Sequence, residues 1–160
     1  MKIQFKKLSE KAVAPKKFNS KDAGFDLTAT NRAIRPHYVE YDTHLAVNIP
    51  EGHVGLLFPR SSVTDKPLTL GNSVGVIDAG FQGSIKMRFR KSASATLHGT
   101  DESELYQVGE RIGQLVILEL PKVIMEEVEE FTSSSTRGSG AFGSTGKGSK
   151  KLTKKVKKDE

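Results

Sequence analysis

From Tyr41 to Ile49 every second residue (Tyr41, Thr43, Leu45, Val47, Ile49) is apolar or β-branched, and Pro50, Glu51 and Gly52 then end the run with turn chemistry. A period of two puts those side chains on one face of an extended chain, which a helix cannot do. The same period recurs at Ile85, Met87 and Phe89, with Lys86, Arg88 and Arg90 pointing the other way, and at Ile3 and Phe5. Residues 54–58 form a short apolar strand, and residues 112–120 and 122–131 read as two more, divided at Pro121. Glu126, Glu127, Glu129 and Glu130 would give the last of these a solvated edge that resists aggregation. One brief helix fits, over residues 62–66 before Pro67. Residues 92–108 read as a polar loop, long by the usual standard. Many short strands between turns, in 160 residues, predict a single all-β domain with a closed or double-sheet architecture.

The C-terminal region departs from this pattern. Residues 137–146 read Arg-Gly-Ser-Gly-Ala-Phe-Gly-Ser-Thr-Gly, combining a fixed cation, four glycines, three hydroxyls and one aromatic ring. Glycines let backbone N–H groups approach an anion, and a guanidinium grips phosphate with a planar fork of donors. Phe142 has no core of its own there, and a flat base supplies one. The alternative is a plain Gly/Ser linker. Gly138, Gly140 and Gly143 have dinucleotide-fingerprint spacing, but Ser and Thr precede them where a strand belongs, and Lys147 to Lys150 follow where a helix belongs. A phosphate-binding Walker loop fails as well, with Ala141 at its first glycine and Gly148 after Lys147.

Five of the six net positive charges lie beyond residue 146, where seven lysines outnumber Asp159 and Glu160. The basic character is thus a property of the tail. It reads as a solvated, disordered end, or as a weak electrostatic contact with nucleic acid or polyphosphate. The organisation expected is residues 1–132 as the folded domain, 133–146 as a flexible arm and 147–160 as the Lys-rich tail. The absence of cysteine excludes disulfides and thiolate metal sites and fits a cytoplasmic protein. No stretch approaches the length of a membrane span, and the first residues lack a secretory apolar core. His37, His44, His53 and His98 have no ligand spacing on a common element.

Other segments carry candidate chemistry. Pro59, Arg60, Ser61 and Ser62 close a strand just before the short helix, and a guanidinium with two hydroxyls there makes a phosphate site; the serines alternatively cap the helix. Residues 71–83 surround Asp78 with Val74, Val76 and Ile77 in a Gly-rich hairpin that offers backbone donors and acceptors to a flat base. Asp78 is placed to take a proton from a water, or is an ordinary turn former. Residues 23–27 (Ala-Gly-Phe-Asp-Leu) and 109–115 (Gly-Glu-Arg-Ile-Gly-Gln-Leu) complete the set, with turn, solvated-charge and surface-amide readings open for Asp26, Arg111 and Gln114.

Taken in order, these five segments resemble the five motifs of the trimeric dUTPase family, with closely similar spacing from Ala23 to Gly146. The resemblance covers all but the Lys-rich tail and part of the 92–108 loop. It implies a dUTPase-like β-clip, a distorted jelly roll with one short helix and a flexible C-terminal arm. It also implies a homotrimer whose active sites are built from all three subunits, hydrolysing dUTP to dUMP and pyrophosphate with Mg2+. By residue-wise match, Asp78 is the carboxylate that activates water for attack on the α-phosphorus. Asn72 and the backbone of Gly75, Val76, Ile77 and Lys86 match the uracil-reading hairpin. Phe81 stands where a tyrosine usually packs under the deoxyribose. Arg60, Ser61, Ser62 and Gln114 match phosphate contacts. Arg137 matches the arginine that reaches the terminal phosphates, Phe142 the ring that stacks on uracil, and Gly143, Ser144 and Thr145 the closing contacts. Asp26 matches the first-motif aspartate, which meets the metal through water.

Three residues depart from the family pattern: Phe81 for tyrosine, Ala141 for glycine and Glu110 for aspartate. Two rival activities are weighed against this one. A dCTP deaminase would need a general-base glutamate where Arg88 stands, and an arginine cannot be deprotonated for that role. A nucleotide sensor that regulates a partner is the other; the intact Asp78 and arm argue against a dead enzyme.

Overall fold

The computed structural model describes residues 1–93, 101–133, 135, 138, 139 and 141. Contacts divide the chain into Met1–Lys122 and Val123–Glu160. In the first unit the described strands are β1 Gln4–Lys7, β2 Phe25–Thr28, β3 Asn31–Ile34, β4 Tyr38–Asp42 and β5 Leu45–Asn48, then β6 His53–Pro59, β7 Leu68–Leu70, β8 Gly75–Ile77, β9 Lys86–Lys91 and β10 Arg111–Glu119. They form an antiparallel pair β1-β5 and two four-stranded antiparallel sheets, ordered β2-β10-β6-β8 and β3-β4-β9-β7. This is the all-β, jelly-roll-like architecture the sequence predicts. The short helix is a 3-10 turn at Ser61–Asp65.

The core lies between the sheets. Tyr41, Phe89 and Tyr106 meet with ring centres 5.8–6.0 Å apart, two of the three pairs edge to face. Ile85, Met87 and Phe89 are buried, as their alternation predicts, while Lys86, Arg88 and Arg90 are exposed. Burial pushes the Tyr41 phenol up to about 12.

Three elements differ from the sequence reading. The run from Tyr41 to Ile49 is two strands in different sheets. It breaks at Thr43 and His44, where His44 takes φ 48° and Thr43 turns its hydroxyl onto the Ile85 carbonyl at 2.8 Å. The period of two survives the break, so periodicity cannot reveal it. The 92–108 loop is not wholly polar surface. Leu105 and Tyr106 are buried, held by Arg32 on Glu102 at 2.6 Å and by the Lys66 ammonium 4.7 Å above the Tyr106 ring. Residues 122–131 form no strand, and Ile124, Met125 and Phe131 are 82%, 90% and 90% exposed. A strand needs a neighbour to take its backbone hydrogen bonds. None of the described strands pairs with this segment.

Candidate active site

The central strand β6 carries the site. It pairs with β10 from Gly113↔Pro59 to Glu119↔His53, and on its other side with β8, Gly55↔Ile77 to Leu57↔Gly75. Just past its end stands Arg60. Opposite it, β10 sets Gln114 across from both Phe58 of β6 and Asp26 of β2. These strands line a hollow of about 430 Å³ that holds Asp26, Arg60, Ser61, Arg111 and Gln114. Asp26 is neither a turn former nor free. Its two oxygens take Arg60 Nε at 3.2 Å and Arg111 Nη1 at 2.8 Å. A guanidinium has five N–H donors, so each arginine keeps others for a second anion. The ladder between β2 and β10 slips between Arg111 and Gly113, and such a bulge re-aims the side chains beside it. Gly24 leaves room for the Gln114 amide, which any Cβ there would overlap. Gln114 also donates from Nε2 to the Pro59 carbonyl at 3.4 Å. The 3-10 turn at Ser61–Asp65 has no side-chain cap, so capping does not occupy Ser61 or Ser62.

The second hollow, about 720 Å³, lies against the hairpin expected over residues 71–83, which is an open one because β8 and the following β9 pair into different sheets; it is walled by Asn72, Gly75, Ile77, Phe81, Ser84 and Lys86. Asp78 opens the tight turn that joins these strands. Phe81 N–H donates to the Asp78 carbonyl at 3.2 Å, and Gly80 takes φ 84°, a conformation costly for a residue with a Cβ. The Asp78 carboxylate is exposed. Phe81, on the wall of this hollow, is 43% exposed, and Val76, between Gly75 and Ile77 of that wall, is 59% exposed. Along the far side Lys86 lies 3.3 Å from Glu40 Oε1, and Arg88 lies 2.7 Å from Glu40 Oε2. The Arg88 bond, against the cost of burial and with help from Lys86, holds the Glu40 carboxyl below the usual range.

The structure brings Asp26, Arg60, Ser61 and Gln114 together, and separately brings Asn72, Gly75, Ile77, Phe81 and Lys86 together. Asp78 lines neither hollow, and it lies on the hairpin that walls the second. Ser62 lies in the 3-10 turn beside the first. The two sets do not share a pocket. The first gathers around β2, β10 and the end of β6, and the second around β8, the turn after it and β9. Arg137, Phe142, Gly143, Ser144 and Thr145, and the Lys-rich tail, lie outside the described residues. Arg111 is the residue that sequence reasoning undervalued. Its signal was its place three residues before Gln114 on the same strand. Tyr38 and Arg88, also along the second hollow, carried no signal beyond strand alternation.

A jelly-roll framework with a hollow lined by two arginines and a separate hollow beside a Gly-rich turn defines a nucleotide-handling β protein. The dUTPase family model matches residues 10–146, and the chain belongs to the dUTPase family. It is 35% identical over 151 residues to the probable deoxyuridine 5'-triphosphate nucleotidohydrolase of Schizosaccharomyces pombe, covering 91% of this chain and 99% of the relative. It is 37% identical over 150 residues to the deoxyuridine 5'-triphosphate nucleotidohydrolase of Corynebacterium glutamicum, covering 91% and 95%. Among solved structures it resembles a point variant of the Staphylococcus bacteriophage 80alpha dUTPase with dUpNHpp, at TM-score 0.79 and 32% identity over 91% of this chain and 98% of that one. It also resembles a variant of the dUTPase of phage phi11 of S. aureus, which coordinates a structural Mg(II) ion, at TM-score 0.71 and 29% identity over 83% and 100%.

Proposed function

We propose that the two hollows are the halves of one dUTP-hydrolysing site, the hairpin half of one copy completed by the phosphate half of another within a homotrimer. The activity is that of the family: dUTP is converted to dUMP and pyrophosphate. The observation that carries the proposal is that the two sets line separate hollows with no lining residue in common.

In this reading the hairpin takes the uracil through Asn72 and the backbone of Gly75, Val76, Ile77 and Lys86, and the Phe81 ring packs under the deoxyribose. Asp78, exposed at the turn, accepts the proton of a water that attacks the α-phosphorus, and pyrophosphate leaves. Arg60, Ser61, Ser62 and Gln114 bind the phosphates, with Arg111 as a second guanidinium; Asp26 holds both arginines in place before substrate arrives. Such preorganisation means that little rearrangement is needed as charge develops. Arg137, Phe142, Gly143, Ser144 and Thr145 close over the bound nucleotide of another copy and shut out bulk water.

Mg2+ fits this donor set through its water shell. Both oxygens of Asp26 are engaged by arginines, and Asp22 is the other carboxylate along the phosphate hollow. Mg2+ dehydrates reluctantly and favours substrate phosphates over all-protein cages. When bound it would neutralise triphosphate charge. No helix among the described residues is long and apolar enough to cross a membrane. We place the reaction in the cytoplasm and assign the lysines beyond residue 146 a weak polyanion contact.

The test is pyrophosphate release from dUTP, dTTP, dCTP and UTP with Mg2+, for the intact protein and Asp78→Asn. Turnover of dUTP above the other three, reduced about 10³-fold in the variant while dUpNHpp still binds, is the expected result. Undiminished turnover by the variant would remove Asp78 from the mechanism.

A further inference from the structure

Behind the hairpin hollow lies a polar cluster centred on a carboxylate to which neither the base nor the phosphate reading gives a role. Its centre is Asp42, the last residue of β4, whose side chain is only 12% exposed. The Ser84 hydroxyl donates a short hydrogen bond to Asp42 Oδ1. The His44 backbone N–H donates to the same oxygen at 2.8 Å, and the Lys86 ammonium lies 3.5 Å from Oδ2. His44 in turn has its ring Nδ1 2.7 Å from the Thr30 hydroxyl. Ser84 and Lys86 wall the hollow, whereas Asp42 does not.

The segment between them is fixed independently. Ile85 N–H donates to the Leu45 carbonyl at 2.8 Å, and the Ile85 carbonyl accepts from the Thr43 N–H at 3.1 Å and from the Thr43 hydroxyl at 2.8 Å. The break between β4 and β5 therefore holds the backbone of Ile85 and, through Asp42, the side chains on either side of it. Burial pushes the Asp42 carboxyl up, but the Ser84 hydroxyl, the His44 N–H and the charges of His44 and Lys86 outweigh it, leaving the group below its ordinary value and ionised.

An ionised carboxylate only accepts hydrogen bonds. The Ser84 hydrogen is therefore committed to Asp42, and the Ser84 oxygen presents lone pairs alone to the hollow. We propose that Asp42 is a positioning residue for base selection: by fixing Ser84 as its donor, it makes this wall accept from the base edge. An accepting wall suits the imide N–H of uracil and opposes the bare ring nitrogen of a 4-aminopyrimidine. The inference rests on the hairpin hollow being the base pocket.

The test compares kcat and KM for dUTP and dCTP in the full chain and in Asp42→Ala, Asp42→Asn and Ser84→Ala. Losing one oriented hydrogen bond corresponds to about a tenfold change. Asp42→Ala, which frees Ser84 to donate, raises KM for dUTP about tenfold and lowers the dUTP-over-dCTP preference about tenfold, with kcat within about twofold. Asp42→Asn, whose amide oxygen still accepts from Ser84, keeps the preference within about twofold. Ser84→Ala, which leaves Asp42 and the backbone ties in place, lowers the preference as Asp42→Ala does, and the two losses do not add. An unchanged preference in Ser84→Ala overturns the proposal even where Asp42→Ala does not fold. An equal fall in Asp42→Asn and Asp42→Ala overturns it too, since charge and not hydroxyl direction would then be the cause. Absence of any dUTP preference in the intact protein would overturn the base-pocket reading itself, and this inference with it.

Discussion

The two hollows solve the same problem, holding part of a nucleotide, by opposite means. At the β2 edge, charged side chains do the work, and Asp26 grips Arg60 and Arg111. At the β8 edge, the means are backbone and shape: a glycine turn at Gly80, an exposed Val76 and Phe81, and side chains anchored from behind by Asp42 and Glu40. A phosphate is a diffuse anion that any well-placed fork of donors can bind. A pyrimidine differs from its relatives by a methyl group or by the donor and acceptor pattern along one edge, and discriminating that pattern requires atoms whose hydrogen-bonding sense is fixed. The contrast teaches that the first half is built from charge and the second from direction.

The sharpest way to break this comparison is to damage one half at a time and mix the products. Arg60→Ala and Asp78→Asn should each lower dUTP turnover about 100-fold or more. Co-refolded in equal amounts, they should regain roughly a quarter of the intact rate if sites form between copies at random. A mixture no more active than its parts would place both halves of a site on one chain. Next in size, Gly24→Ala drives a Cβ into the Gln114 amide and should cost about 1–3 kcal/mol of stability, measured by urea unfolding. It should also raise KM for dUTP while leaving base preference intact, because it touches only the charged half.

A smaller effect separates the halves by pH. Asp42 and Glu40 have folded values below their unfolded ones, so they contribute stability that is fully present above the ordinary carboxylate range near pH 4 and is lost as pH falls through the folded values. The urea midpoint should therefore fall on acidification below about pH 4, and fall less steeply in Asp42→Asn. An equal slope in the two proteins would mean that Asp42 keeps its ordinary value. The smallest change expected is Phe81→Tyr, which adds a hydroxyl to a ring already 43% exposed. Turnover of dUTP and rejection of UTP should stay within about threefold, since the ring face is unchanged. A large gain would show that the hydroxyl, not the face, governs sugar choice.

Much of this contrast was legible in the sequence because each half leaves a local signature. Gly80 two residues after Asp78 forces the turn, and Arg60 follows directly on the end of an apolar strand, where it reaches a hollow. What escaped was long-range. The Asp26–Arg111 pair joins residues 85 apart in the chain, and Arg111 read as a solvated charge until a neighbouring strand placed a carboxylate beside it. The break at His44 carries no glycine to announce a positive φ, and only the Asp42 and Thr30 contacts account for it. Leu105 and Tyr106 were lost in a polar stretch whose role depends on Arg32 and Lys66 elsewhere. Residues 122–131 hold apolar residues enough for a strand and lack a partner strand among those described.

The division into two hollows with no residue in common has a consequence for heredity as well as chemistry. If every site draws its halves from different copies, a defective gene product does not simply fail alone. A subunit lacking Asp78 would spoil the site that uses its hairpin yet still serve another through its Arg60, so an allele of this kind would be mild beside a healthy one. An allele that folds and assembles but has lost both residues would poison two sites per subunit and behave as dominant.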